Sequence, residues 1–218
     1  MNTSTQASLA SKAYDQLVTQ ITRLHLQPGS VLAEKSLVDT LNIGRTPVRE
    51  ALQRLAIEGL VVHRLNRGMF VSEITYSNIQ EVYEFRSLID ARACRLAAIR
   101  ASEDQKAELM KIHKSLADAT QRDDIDAYVE LDREYYRVLC AACGNSFVAE
   151  TIPKIFNLHL RLWFYLSKKL GSWHSIAEAH EVMTQEVSEA IYDCDPDRAE
   201  IAMLNYISQR QHDLRKIF

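Results

Sequence analysis

Apolar residues recur at helical spacing from early in the chain. Tyr14, Leu17, Val18, Ile21 and Leu24 share one face and predict a helix from about Ser8 to Leu26, broken by Gln27-Pro28-Gly29-Ser30. A short helix over about Glu34 to Leu41 follows, with Leu37, Val38 and Leu41 on one side. Asn42-Ile43-Gly44 is a tight connection, after which Arg45-Thr46-Pro47 opens a third helix. A proline is favourable there because a first-turn N–H has no helical partner to lose. Val48, Ala51, Leu52 and Leu55 form its buried stripe, and Gly59 is a natural stop. Leu60–Arg64 and Met69–Ser72 then read as two short strands around a turn at Asn66-Arg67-Gly68. Beyond Thr75 the pattern is helical throughout: Ser77–Arg100, Glu103–Gln121, Ile125–Cys143, Phe147–Leu170, Ser175–Tyr192 and Pro196–Lys216. Ser102, Asp124, Asn145 and Asp195 stand where N-caps belong.

The elements predict a mainly α protein. Residues 1–74 form a winged helix-turn-helix, three helices followed by a β-hairpin, and residues 75–218 form an all-α six-helix bundle. On the third helix Arg45 and Arg49 lie four apart, away from Val48, Leu52 and Leu55. That helix is apolar behind and doubly cationic in front, and a guanidinium fork fits a phosphate or the edge of guanine. The plain alternative is a solvated helix face carrying two arginines.

Charge sharpens the division. Residues 1–75 hold eight Lys/Arg against six acids, a balance of +2, and the remainder holds eighteen against twenty-three, −5. A mildly basic head on an acidic body is compatible with a nucleic-acid module joined to something else. Only 6 Gly and 4 Pro argue against a turn-rich β chain. Apolar runs reach about six residues, as in Val138–Cys143, too short for a bilayer. The first thirty residues lack a basic start followed by an apolar run, so no secretory signal is expected. Cysteines at 94, 140, 143 and 194 make no disulfide framework, which points to the cytoplasm.

The stretch Leu41-Asn-Ile-Gly-Arg-Thr-Pro-Val-Arg-Glu-Ala-Leu-Gln-Arg-Leu55, with Glu58-Gly-Leu60 and Arg67-Gly-Met-Phe-Val71, resembles the signature of GntR-family transcriptional regulators. The resemblance implies that Arg45 and Arg49 contact double-stranded DNA, that Lys35 reaches it from the second helix, and that Thr46, Arg67 and Gly68 assist. Gly44 stands where the family usually has Ser, which removes a hydroxyl able to cap the helix or hold a phosphate. In the body, Glu81–Asp90, Leu131–Tyr136 before Gly144-Asn145, and Glu178-Ala-His180 are similar to marks of the FCD domain, the effector-binding domain of the FadR subfamily. Six helices are closer to the VanR-like branch. The resemblance further implies a repressor role on a palindromic operator, a homodimer and a small organic effector, carboxylate or aromatic.

Many FCD domains hold a divalent metal with one Asp and three His. The matching positions here are Asp132, Tyr136, His180 and Tyr206, so two imidazoles have become phenols. A phenol binds divalent ions poorly, and Asp132 with His180 alone is too small a set. The expectation is therefore no cofactor and direct effector binding by Arg86, Asp132, Tyr136, His180 and Tyr206, Arg86 holding an anionic group. Three alternatives stay open: a divalent ion on Asp132 and His180, a core pair of those two residues, and an enzyme or small-molecule carrier built on the body. Arg161, Trp163 and Tyr165 are candidates for a further charge or aromatic wall. Cys140-Ala-Ala-Cys143 ends a helix instead of starting one, so it reads as two small core residues. No Gly-rich phosphate loop, HExxH or GxSxG element appears, and no enzyme activity is expected.

Overall fold

The computed structural model describes the backbone of residues 3–215 and the side chains of residues 8–215. The expected end of the last helix at Lys216 lies outside the described residues. The chain divides into two compact units, residues 1–75 with 157–165, and residues 76–156 with 166–218. The division at 74/75 read from the sequence did not anticipate that 157–165 pack with the first unit.

The first unit contains α1 (Thr3–Thr22), β1 (Val31–Leu32), α2 (Glu34–Leu41), α3 (Arg45–Ile57), β2 (Val61–Arg64) and β3 (Gly68–Val71). Helix α1 starts before the expected Ser8 and stops short of the expected Leu26. Its stop is Leu24 in the left-handed region at φ 60°, which lets the amides of His25 and Leu26 turn back to the Gln20 carbonyl. Leu17, Ile21, Val48, Leu52, Leu55, Leu60 and Val71 are fully enclosed in one core, against which Leu158 also packs. The sheet has three strands in the order β1-β3-β2, all antiparallel, with Val61 opposite Val71 and Val31 opposite Phe70. The hairpin expected from the sequence therefore has a third strand, β1, on the free edge of β3. Asn66 and Gly68 adopt φ 57° and 87° to close the wing turn.

The second unit is built from α4 (Tyr76–Arg100), α5 (Glu103–Gln121), α6 (Ile125–Cys143), parts of α7 (Ser146–Leu170), α8 (His174–Tyr192) and α9 (Pro196–Arg215). Helix α4 packs on α6, α8 and α9, and α5 on α6 and α8. The expected caps are made. Ser102 and Gln105 form a capping box, and Asp124, Asn145 and Asp195 each accept a first-turn amide. Pro153 sits inside α7, where its ring removes the donor that would otherwise meet the Ala149 carbonyl. Among the described residues no helix is long and apolar enough to cross a membrane.

Candidate functional site

Two groups of side chains stand out, one in each unit. In the first, Gly44 caps α3 with extended backbone and no side-chain bond, leaving the start of the helix open. Arg45, Thr46 and Arg49 are exposed on its first turns, and Lys35 is exposed on α2. Arg49 belongs to a concavity of about 340 Å³ that also takes in Glu34, Gln53, His63 and the wing residues Arg67 and Gly68. The structure thus brings Arg49, Arg67 and Gly68 together, while Lys35, Arg45 and Thr46 lie outside that concavity. Sequence reasoning missed Glu34, Gln53 and His63. Gln53 carried a signal, since positions 45, 49 and 53 repeat every helical turn. Glu34 Oε1 lies 3.4 Å from Arg49 Nε, and its Oε2 lies 4.0 Å from Arg45 Nε. One carboxylate thereby holds both arginines. Arg54 faces elsewhere, stacked 3.6 Å over the Tyr14 ring and paired with Glu58 at 3.2 Å.

In the second unit, α4, α6, α8 and α9 converge on a buried polar cluster. Arg86 on α4 is ion-paired with Asp90 at 2.7 Å and donates from Nη2 to the Tyr136 hydroxyl. Arg86, expected to hold an anionic group, already has a carboxylate partner one turn away on its own helix. Burial opposes the charge on Arg86, but Tyr136 and Asp90 outweigh it and hold its pKa above the ordinary value. On α6, positions 128, 132 and 136 face the cluster together. Tyr128 Oη lies 2.8 Å from His180 Nδ1, and His180 Nε2 lies 3.1 Å from Asp132 Oδ1. That second approach is not aligned as a hydrogen bond. Asp132 Oδ1, His180 Nε2 and the Tyr206 hydroxyl are all buried without a hydrogen-bond partner.

Burial raises the pKa of Tyr128, Tyr136 and Tyr206 well above the usual phenol value, so all three are neutral hydroxyls near pH 7. The donor set then offers a divalent ion one carboxylate oxygen and one ring nitrogen, and it does not fit a structural or catalytic metal. Among the described residues no three of His, Cys, Asp and Glu gather as a metal site. Arg161, Trp163 and Tyr165 do not belong to this cluster. They fall in the segment packed with the first unit, where Arg161 Nη2 donates to the Glu73 carbonyl at 3.0 Å. Burial pulls the Arg161 pKa down to about 10. Cys140 and Cys143 are free, buried thiols, and burial pushes Cys140 up to about 12, which disfavours its thiolate.

The family models settle what these two units are. Residues 9–71 match "Bacterial regulatory proteins, gntR family", and residues 81–209 match "FCD domain". The chain belongs to the GntR family, with an FCD domain. It is a DNA-binding transcriptional regulator with an effector-binding body, and not an enzyme. It is 25% identical over 204 residues to the "HTH-type transcriptional repressor RspR" of Escherichia coli (strain K12), covering 94% of this chain and 88% of that protein. It is 30% identical over 133 residues to the "Nta operon transcriptional regulator" of Aminobacter aminovorans, covering 60% and 62%. Its fold is similar to that of the solved "E. coli McbR/YncC", with a TM-score of 0.77, 19% identity and coverage of 95% and 97%.

Proposed function

We propose that this GntR-family chain is a repressor that binds a two-fold symmetric operator as a homodimer and leaves it when a small organic effector enters the FCD cluster. The effector is held directly by Asp132, His180 and Tyr206, with Tyr136 and Arg86 behind them, and no metal intervenes. The observation that carries this reading is the trio of buried polar atoms without hydrogen-bond partners, Asp132 Oδ1, His180 Nε2 and Tyr206 Oη. A buried polar atom left without a partner costs about 1–3 kcal/mol. That applies in full to Tyr206 Oη and in part to Asp132 Oδ1 and His180 Nε2, which face each other at 3.1 Å, and a ligand with hydroxyl or carbonyl groups recovers the cost. Because Asp90 already neutralises Arg86, the cluster selects by hydrogen bonds more than by charge.

On the DNA side, Arg45, Thr46, Arg49, Lys35 and the wing at Arg67-Gly68 make the contacts, Arg49 at base edges and the rest mainly at phosphates. One head reads few bases, so two heads on an inverted repeat are the natural solution. The names of relatives, "transcriptional repressor RspR" and "transcriptional repressor GlaR", support the sign of regulation.

Selection from a random duplex pool tests the DNA half. It should return an inverted repeat whose binding is salt-sensitive and lost with Arg49→Ala. Tyr206→Phe and His180→Ala test the other half, and should keep operator affinity while losing effector-induced release. Release that survives both substitutions, or that disappears with a chelator, contradicts the reading.

A further inference from the structure

A second opening lies beside the cluster, on an adjoining face of α6. Between α6 and the first turns of α7 is a pocket of about 390 Å³, within the size range of small-molecule sites. Its floor is apolar, made by the buried residues Tyr136, Cys140, Ile152 and Phe156. Its lip carries two exposed guanidinium groups, those of Arg133 and Arg137. The Tyr136 and Phe156 rings meet edge to face at 5.6 Å, and the Arg133 guanidinium lies 4.9 Å over the Phe156 ring. Of these residues only Tyr136 also belongs to the buried polar cluster.

We propose that this pocket binds a small aromatic carboxylate, its ring against Phe156 and Tyr136 and its carboxylate between Arg133 and Arg137. The two guanidinium groups select an anion, and the ring-lined floor selects a flat apolar body over a sugar or a free phosphate. The arginines differ in how readily they accept a new partner. Arg86 is enclosed with Asp90, and separating a buried pair is costly. Arg137 leans on Glu134 across an exposed i, i+3 contact, which a ligand carboxylate displaces at little cost. An anion arriving from solvent is therefore captured at the lip of α6 and not at Arg86.

Occupancy has a route inward. The Tyr136 ring forms part of the floor while its hydroxyl accepts from Arg86 Nη2. A ligand that tilts the ring disturbs the Arg86–Asp90 pair, so the pocket adjusts the same cluster that the effector enters. Only this last step rests on the function proposed above; the binding site does not.

The test uses the full chain with 2-naphthoate as probe and 2-naphthol as its uncharged counterpart, followed by calorimetry and ligand fluorescence. Ala149 is an exposed pocket residue, so Ala149→Trp fills the mouth without touching the core. Wild type should bind naphthoate saturably, and Ala149→Trp should weaken it at least about tenfold. The double variant Arg133→Ala/Arg137→Ala should weaken naphthoate by about tenfold and leave naphthol unchanged, a loss of about 1.4 kcal/mol. Both arginines are on the surface, so that variant remains informative if Ala149→Trp does not fold. Naphthoate binding that survives both variants overturns the assignment and leaves the buried-cluster reading standing. So does Ala149→Trp dissociating a dimer with naphthoate affinity unchanged, because the face then belongs to a second copy of the chain.

Discussion

Glu34 ties two exposed arginines of α3 to a single carboxylate. Its carboxylate lies against both Arg45 and Arg49, yet such exposed pairs contribute only about 0–1 kcal/mol to stability. If Arg45 and Arg49 contact DNA as proposed above, its effect falls on recognition: a negative charge among the arginines opposes phosphate and penalises any duplex that does not engage both. Glu34→Gln should leave the melting temperature unchanged, tighten binding to random DNA several-fold and steepen its salt dependence. An unchanged ratio of operator to random affinity would show that Glu34 is a bystander. Arg49→Ala should cost about 1–3 kcal/mol on the operator, read by fluorescence anisotropy. The buried phenols make a separate prediction in alkali. Tyr83 is pushed up to about 12 by burial, and Tyr128, Tyr135, Tyr136 and Tyr206 are raised too. Below about pH 10 these hydroxyls are neutral whether folded or unfolded, and their stabilising contribution is intact. Above it the unfolded chain ionises first, so stability falls by up to about 1.4 kcal/mol per pH unit for each until its folded pKa is passed. In an ultraviolet titration these five should ionise only as the helical dichroism collapses. At this scale the sequence was informative about identity more than pairing. Arg45 and Arg49 were legible because helical spacing places them on one face. The pairing of Arg86 with Asp90 was there at i, i+4, while the rotation that leaves three polar atoms without partners depends on how four helices meet.

At the scale of elements, helices with strong caps were placed within a residue or two. Ser102 is an example, with side chain and backbone exchanging bonds with Gln105. Ser102→Ala should lower unfolding free energy by about 1 kcal/mol in a urea titration. Gly44 is the converse case. A Cβ there meets nothing closer than Pro47 Cδ at 3.9 Å, and its φ is −60°. Gly44→Ser should fold normally, gain a few tenths of a kcal/mol from a capping hydroxyl, and tighten operator binding through an added phosphate contact. A loss of operator affinity would show that the open start of α3 is itself required. The elements misread had no local signal. Strand β1 is two residues long and exists because the edge of β3 offers it partners far along the chain, Val31 with Phe70. The early stop of α1 uses a leucine at positive φ, where turn rules lead one to expect Gly or Asn.

For the whole molecule, the order of a basic three-helix head and a six-helix body could be read from pattern and charge together. What could not be read is the company kept by residues 157–165, since their stripe of Leu160, Leu162 and Trp163 looks like any buried helix face. If the function proposed above holds, light scattering at micromolar concentration should give twice the 24.9 kDa chain mass, with or without operator. A monomer under both conditions would remove the two-fold argument.

The segment 157–165 has one more consequence. Asn157 donates to the Tyr14 hydroxyl at 3.1 Å, that hydroxyl donates to Glu58 at 2.6 Å, and Leu158 rests on the head's core. The DNA-reading unit is therefore discontinuous in sequence. A single cut near residue 75 excises a fragment that lacks part of its own wall, and a chimera joined there inherits a foreign wall. Such parts are not interchangeable cassettes with one seam: a working graft carries two pieces of the donor, the head and a nine-residue patch from the middle of a distant helix. Lineages that exchanged heads by recombination at one junction would have had to re-fit that patch afterwards, one substitution at a time.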